Sequence, residues 1–182
     1  MAVVVVSGSG RGVGKTALVC GLIAALPEFR WTAVKVASHA HRLTGPIWEE
    51  RVAGQGNDTA RYLAAGAHRA ILVTAGEDEL GRVVLQLIQE QGSGKHLIFE
   101  SNRALRHLKP DLCLAVAGGP DAGHKPSFAA VVERMDAMVA HADRDHVIAG
   151  EPRRFQLAAF EHVSSEMLAW IRGRLAKRVA LR

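Results

Sequence analysis

The chain has 182 residues, of which 48% are hydrophobic and 23% are charged, and its formal net charge is +5. This length and composition are those of a globular protein with a substantial core, so we expect a single domain over residues 1–182. Aromatic residues make up only 5% of the chain, and no basic stripe is interleaved with them, which argues against nucleic-acid binding.

The sequence indicates neither a membrane span nor an export signal. The first long apolar run is interrupted by Pro27 and is well short of the ~20 apolar residues that a membrane span needs. The N-terminus enters an apolar run with no charged segment or cleavage site before it. Cys20 and Cys113 lack the spacing of a metal site, as is typical of core residues in a reducing compartment. We therefore expect a cytoplasmic protein with no membrane partner.

Apolar strand patterns alternate with helical patterns along the chain. Strands are predicted at residues 3–6, 30–37, 69–74, 96–99, 111–117 and 145–149. Helices are predicted at residues 17–26, 60–65, 77–91, 128–141 and 160–175, with a loop over 43–56 and a loop or short helix over 101–108. This alternation is typical of an α/β fold with a mostly parallel central sheet and helices on both faces. In such sheets, ligands bind at the carboxyl ends of the strands.

A glycine-rich segment follows the first strand. Residues 7–18, SGSGRGVGKTAL, follow four consecutive valines and contain four glycines and a Lys-Thr pair that opens an apolar helix. This order is the pattern of a P-loop, whose backbone N–H groups cradle phosphate. The strict pattern has a glycine where this chain has Ser9, although Gly8 and Gly10 flank that position. The residues predicted to bind nucleotide are Ser9, Gly10, Arg11, Gly12, Val13, Gly14, Lys15, Thr16 and Ala17.

The P-loop pattern assigns roles to three side chains. We expect Lys15 to reach the terminal phosphates and Thr16 to ligate Mg²⁺. Arg11 either contacts a phosphate oxygen or faces water. The pattern therefore predicts a P-loop NTPase that binds Mg²⁺ and a nucleoside triphosphate, GTP or ATP. The chain has no Asn-Lys-x-Asp motif for reading guanine, so this pattern leaves the base open.

Two carboxylates are candidates to complete the Mg²⁺ shell. Glu100 closes an apolar strand, a position that suits either a metal ligand beside the P-loop or a solvated strand end. Ser101 and Asn102 follow it at the same strand end. Asp58 is the second candidate, although the sequence at 57–59, Asn-Asp-Thr, is also a good helix cap. The predicted metal ligands are therefore Thr16, Asp58 and Glu100.

Lys35 lies near the end of the second predicted strand. We expect it to stabilise charge on a phosphate or on a second anionic substrate, and with Lys15 and Glu100 it forms the predicted catalytic set. His39 and His41 have no third ligand at zinc spacing. We interpret these histidines as substrate contacts, proton carriers or residues of a surface loop.

Together these pieces resemble molybdopterin-guanine dinucleotide biosynthesis protein B. The resemblance rests on the P-loop, Lys35, the segment His39-Ala40-His41, residues 58–67 (DTARYLAAGA) and the strand end Phe99-Glu100-Ser101. It runs from about residue 3 to residue 116, with a weaker match in the final strand and helix. The chain differs from the family in the loop sequence RGVGKT, in the histidine segment and at Ser101, where the family has glycine.

The resemblance implies a GTP-binding protein with slow GTP hydrolysis that assists guanylyl addition to molybdopterin. The partners it implies are molybdopterin and its guanylyltransferase, and a second copy of the chain is a further candidate partner. The same layout is similar to dethiobiotin synthetase, an ATP-dependent ligase, through the loop at 8–16 and through Lys35, Asp58 and Glu100. A regulatory P-loop NTPase switch with no small-molecule product is the third interpretation.

Overall fold

A computed structural model describes residues 1–37, 45–90, 95–118, 126–143 and 152–180 of the chain. Its centre is an eight-stranded sheet. The strands are β1 (Val3–Gly8), β2 (Trp31–Val36), β3 (Ile47–Glu50), β4 (Arg69–Val73), β5 (His96–Glu100), β6 (Leu112–Val116), β7 (Ala137–His141) and β8 (Arg153–Leu157). Their order across the sheet is β3-β4-β2-β5-β1-β6-β7-β8. Neighbouring strands are parallel except β3, which runs antiparallel to β4.

Helices cover both faces of this sheet. The α-helices in the described ranges are α1 (Lys15–Ala25), α2 (Asp58–Ala64), α3 (Glu77–Gln89), α4 (Pro126–Ala129) and α5 (Ser165–Ala180), and short 3-10 helices occur at Pro27–Phe29, Arg103–Arg106 and Val132–Arg134. Side chains of α1, α2 and α5 form the core on one face, and those of α3 and α4 form the core on the other. Within the described residues, none of the helices has the length and apolar character that crossing a bilayer requires.

Strand β1 contributes to both cores. All of its residues are buried, because β1 lies between β5 and β6 in the middle of the sheet. Since side chains alternate along a strand, Val3 and Val5 join the core that contains α3, whereas Val4 and Val6 join the core that contains α1. The run of β-branched residues suits a strand with helices on both sides. The predicted α/β class, with a mostly parallel sheet, is confirmed.

The prediction of a loop over residues 43–56 is wrong in the middle of that range, where the chain forms β3. This edge strand pairs with β4, and Trp48, which is 37% exposed, stands opposite Leu72. Arg69 donates two hydrogen bonds of 2.9 Å to the carboxylate of Glu49. Cross-strand pairing of this kind holds a short strand, Ile-Trp-Glu-Glu, that lacks the apolar alternation by which a strand is recognised in a sequence.

The prediction of a helix over residues 128–141 is also wrong. The chain instead forms the short α4 and a 3-10 helix and then enters β7. The segment Ala137–His141 contains alanine and methionine, which favour helices. It is a strand because it pairs in parallel with both β6 and β8 and buries most of its side chains between helices. Tertiary pairing therefore overrides the local preference.

Two further differences lie near the C-terminus. Strand β8, which begins with two exposed arginines, is not predicted from the sequence, and the strand predicted at 145–149 lies outside the described residues. The last helix spans Ser165–Ala180 rather than residues 160–175. It begins at Ser165 because the Ser164 hydroxyl accepts a 3.3 Å hydrogen bond from the Met167 N–H and caps it there. The other predicted strands and helices agree with the structure to within two residues at their ends.

Helix α2 begins with the side-chain cap that the sequence predicts. Asn57 Oδ1 accepts hydrogen bonds of 2.8 Å from the Ala60 N–H and from the Thr59 hydroxyl. The amide of Asn57 donates a 3.1 Å hydrogen bond to the buried Glu50 at the end of β3. The cap thus fixes the first turn of α2, which carries Asp58, against the edge strand.

We expect Asn57→Ala to lower the free energy of unfolding by about 1 kcal/mol, because the first turn of α2 loses its acceptor. For a chain of this size, that loss corresponds to a fall in Tm of roughly 2–4 °C. Differential scanning calorimetry measures the change, and Asn57→Ser, which keeps an oxygen at the cap, should lose less. A Tm for the alanine variant equal to that of wild type would show that the cap does not stabilise α2.

Candidate functional site

A cleft of about 720 Å³ opens at the carboxyl edge of the sheet. It lies over the ends of β1, β2 and β5 and beside the first turns of α1 and α2. Ser9 and Val13 do not line the cleft, because Ser9 is buried with its N–H bonded to the Val116 carbonyl and Val13 packs against the core. The other predicted nucleotide-binding residues all line it: Gly10, Arg11, Gly12, Gly14, Lys15, Thr16 and Ala17.

Two glycines give the P-loop its shape. Gly12 and Gly14 have φ angles of 72° and 103°, in the left-handed region that other residues rarely adopt. A Cβ on Gly14 would lie 2.2 Å from Cδ2 of Phe160, so glycine is also needed there for space. Lys15 Nζ donates a 2.7 Å hydrogen bond to the Gly10 carbonyl on the opposite side of the loop. The loop is therefore folded around its own lysine.

Asn102 holds the start of the P-loop. Its Oδ1 accepts hydrogen bonds from the Ser7 hydroxyl at 2.7 Å and from the Gly8 N–H at 3.0 Å. Its Nδ2 donates to the Gly8 carbonyl at 3.1 Å and to the Ser127 hydroxyl at 3.3 Å. From the sequence, Asn102 is predicted only to be one of the polar residues at a strand end. The available signal was its position just beyond β5, which pairs with β1.

The three predicted metal ligands lie together around Glu100. The Glu100 side chain, only 2% exposed, accepts hydrogen bonds from the Thr16 hydroxyl at 2.8 Å, from the Lys35 ammonium and from the Tyr62 hydroxyl. Lys35 Nζ also lies 2.7 Å from Asp58 Oδ2. Asp58 is hydrogen-bonded to Thr16 as well. Two carboxylates, two hydroxyls and an ammonium thus form one continuous cluster beside the P-loop.

Burial and neighbouring charges shift the pKa values of three residues in this cluster, Asp58, Lys35 and Tyr62. Burial raises the pKa of Asp58, but the hydrogen bond and charge of Lys35 and the hydrogen bond of Thr16 outweigh it, so the pKa lies below its usual value. Burial lowers the pKa of Lys35, yet Glu100 and Asp58 together bring it above its usual value. Burial and then the Glu100 carboxylate raise the pKa of Tyr62 well above its usual value. At neutral pH, Lys35 is an ammonium and Tyr62 a neutral hydrogen-bond donor.

Tyr62 is a site residue that the sequence reasoning missed. It is buried and follows Asp58 by four residues, so both side chains lie on the same face of α2. That face points towards Glu100, and Arg61 beside it lines the cleft. The spacing of four residues was the signal that could have found it.

The donor set fits a hard divalent cation. Thr16, Asp58 and Glu100 offer hydroxyl and carboxylate oxygens, which are the ligands that Mg²⁺ prefers. Among the residues that the structure describes, no group of three or more His, Cys, Asp or Glu side chains is arranged to hold a metal. Mg²⁺ bound here would use the Thr16 hydroxyl and phosphate oxygens besides the two carboxylates. His39 and His41 lie outside the described residues.

Comparison with known proteins finds a protein of similar fold but no matching family. No protein-family model and no curated protein matches it. Its structure is similar to the crystal structure of an "apo" form of LpxK from Aquifex aeolicus in complex with ATP, with a TM-score of 0.54 and 19% sequence identity. The match covers 85% of this chain and 53% of that one, so the chain spans about half the length of that structure. The chain therefore shares the α/β fold of that structure, with a mostly parallel central sheet.

We expect Gly14→Ala to distort the P-loop, because the new Cβ meets both the left-handed backbone and the Phe160 ring. The backbone effect alone costs a residue other than glycine about 1–2 kcal/mol, so urea denaturation should show a loss at least that large. Gly54→Ala is the matched control, since its Cβ would meet nothing within 4 Å and its φ is not positive. Its stability should stay within about 0.5 kcal/mol of wild type. Equal stabilities of the two variants would contradict the close contact between Gly14 and Phe160.

Proposed function

We propose that the chain binds a nucleoside triphosphate together with Mg²⁺ and acts on its terminal phosphate. The observation that carries this proposal is the cluster of Thr16, Lys35, Asp58 and Glu100 at the foot of the P-loop. A glycine-rich turn with a chance Lys-Thr pair has no need of a buried carboxylate bonded to its threonine. The similarity in fold to a structure that holds ATP supports nucleotide binding.

Each residue has a distinct role in this proposal. The N–H groups of the P-loop and the first turn of α1 bind the phosphate oxygens. Lys15, which bonds the Gly10 carbonyl in this structure, turns to the terminal phosphates. A Mg²⁺ ion held at this site would supply positive charge to the phosphates. Thr16, Asp58 and Glu100 hold the metal.

Among nucleotides, we favour GTP, bound by an accessory protein of molybdopterin guanine dinucleotide biosynthesis. This part of the proposal rests on the resemblance of residues 58–67. That segment forms one wall of the cleft, with Asp58 and Arg61 lining it and Tyr62 bonded to Glu100. The matching segment therefore contributes to the site and is more than a helix cap. The partners proposed are molybdopterin and its guanylyltransferase.

A ligase of the dethiobiotin synthetase type is the second candidate. The observation that favours it is Lys35, which lines the cleft where a second, anionic substrate would meet the terminal phosphate. A ligase would couple ATP hydrolysis to that substrate. A regulatory switch would bind the same nucleotide without a second small molecule, and nothing in the cleft favours it over the other two.

The first test of nucleotide binding is Lys15→Ala. Loss of a charge-assisted hydrogen bond to phosphate, about 1.5–3 kcal/mol, should weaken binding of a fluorescent GTP or ATP analogue by roughly 10- to 100-fold. Circular dichroism should show an unchanged fold. The matched control is Lys109→Ala, which removes an exposed lysine at the opposite edge of the sheet, before β6. Undiminished affinity in a folded Lys15→Ala variant would remove the basis for the P-loop assignment.

Competition of GTP against ATP, followed by turnover assays, separates the candidate functions. We expect a preference for GTP and slow hydrolysis, because no glutamine lies among the described residues that line the cleft to orient a water molecule. A ligase would prefer ATP and hydrolyse it only with bicarbonate and a diamine substrate present. A clear ATP preference with such substrate-dependent turnover would reject the GTPase proposal.

A further inference from the structure

The Lys35 ammonium lies where the proposed metal ligands converge. Its Nζ is 2.7 Å from Asp58 Oδ2 and is hydrogen-bonded to Glu100 Oε1. The Thr16 hydroxyl is bonded to the same two carboxylates. The oxygens that fit Mg²⁺ therefore already have a cation among them, supplied by the chain itself.

We propose that Lys35 is an internal cation that occupies the metal position in the nucleotide-free protein and leaves it when Mg²⁺ arrives with the triphosphate. This inference rests on the proposed function. It makes Lys35 a positioning residue with two partners, the carboxylate pair in one state and the terminal phosphate in the other. The consequence is that Mg²⁺ binds well only as a complex with nucleotide.

The exchange requires movement of the side chain alone. The backbone of Lys35 is fixed in a central strand, where it pairs with Glu100 of β5 on one side and Leu72 of β4 on the other. The side chain is 22% exposed and lines the cleft, and its four-carbon stem is flexible. The ammonium can therefore turn from the carboxylates towards the cleft without unfolding the strand.

An ammonium and Mg²⁺ cannot use the same carboxylate oxygens at once. Mg²⁺ requires its oxygens at about 2.0–2.1 Å in near-octahedral geometry, which excludes a second cation from the space between the carboxylates. Like charges at that separation also repel strongly in a site where Glu100 is almost fully buried. A triphosphate in the cleft gives the displaced ammonium a new anionic partner. Without the triphosphate, displacement leaves Lys35 with no such partner.

The test is titration of nucleotide-free protein with Mn²⁺, used as a probe for Mg²⁺, by calorimetry at pH 8. We expect Lys35→Met to bind one Mn²⁺ about tenfold or more tightly than wild type, because the competing cation is gone. Arg61→Met is the matched control. It removes the same charge from the same cleft, but the described ion pair of Arg61 is with Glu161, at 3.9 Å. Its gain should stay below about threefold, as expected of a more distant charge.

Two outcomes would overturn the inference. One is an unchanged or weaker Mn²⁺ affinity in folded Lys35→Met, with Lys35→Gln measured as well in case the methionine variant does not fold. The other is an equal gain in Arg61→Met, which would indicate a general effect of charge. Adding Asp58→Asn to the Lys35→Met variant should abolish the gain if the metal lies at this cluster, and a retained gain would place it elsewhere and reject the inference.

The titration contains no nucleotide, so its result is independent of the proposed function. If the wild-type chain binds nucleotide but the Lys35 variants show no gain in metal affinity, only the role proposed for Lys35 is rejected. A clear gain in metal affinity in a chain that binds neither GTP nor ATP would instead reject the proposed function, and with it the exchange driven by the triphosphate, but not the position of Lys35 at the metal site.

Discussion

A buried carboxylate at the end of β5 determines how the site is built. Transfer of an ion from water into a protein interior costs several kcal/mol unless charged and polar partners compensate it. Glu100 takes these partners from three separate elements, with Lys35 from β2, Tyr62 from α2 and Thr16 from α1. Satisfying this one carboxylate therefore fixes two helices against the central strands, and the cleft lies between them.

The same strand end supports the P-loop. Asn102, just beyond Glu100, bonds both backbone groups of Gly8, and at the far end of the loop Phe160 packs against Gly14. Segments distant in the sequence thus hold the loop at both of its ends. A loop held in this way presents its N–H groups before phosphate arrives, so less conformational entropy is lost when a ligand binds.

Features set by local sequence were predictable, and those set by tertiary pairing were not. A run of valines gives β1, and glycines in the left-handed region followed by Lys-Thr give the loop and α1. By contrast, β3 is a four-residue edge strand without apolar alternation that is held by cross-strand pairs, and β7 contains alanine and methionine and lies between two neighbouring strands. In the site, Asp58 and Glu100 stand out as polar residues at a helix start and a strand end. Tyr62 and Asn102 act through hydrogen bonds to Glu100 and Gly8, which are distant in sequence. Their sequence signals, a spacing of four residues from Asp58 and a position just beyond β5, do not by themselves indicate those partners.

The proposed function requires that the cluster around Glu100 and the P-loop together bind Mg²⁺ and a nucleoside triphosphate. The most direct measurement is the affinity of the wild-type chain for GTP and for ATP by calorimetry, first with Mg²⁺ and then with EDTA. We expect binding of one nucleotide per chain and a loss of affinity of about tenfold or more when Mg²⁺ is removed. Absence of binding to both nucleotides, or an affinity that does not change on removal of Mg²⁺, would contradict it.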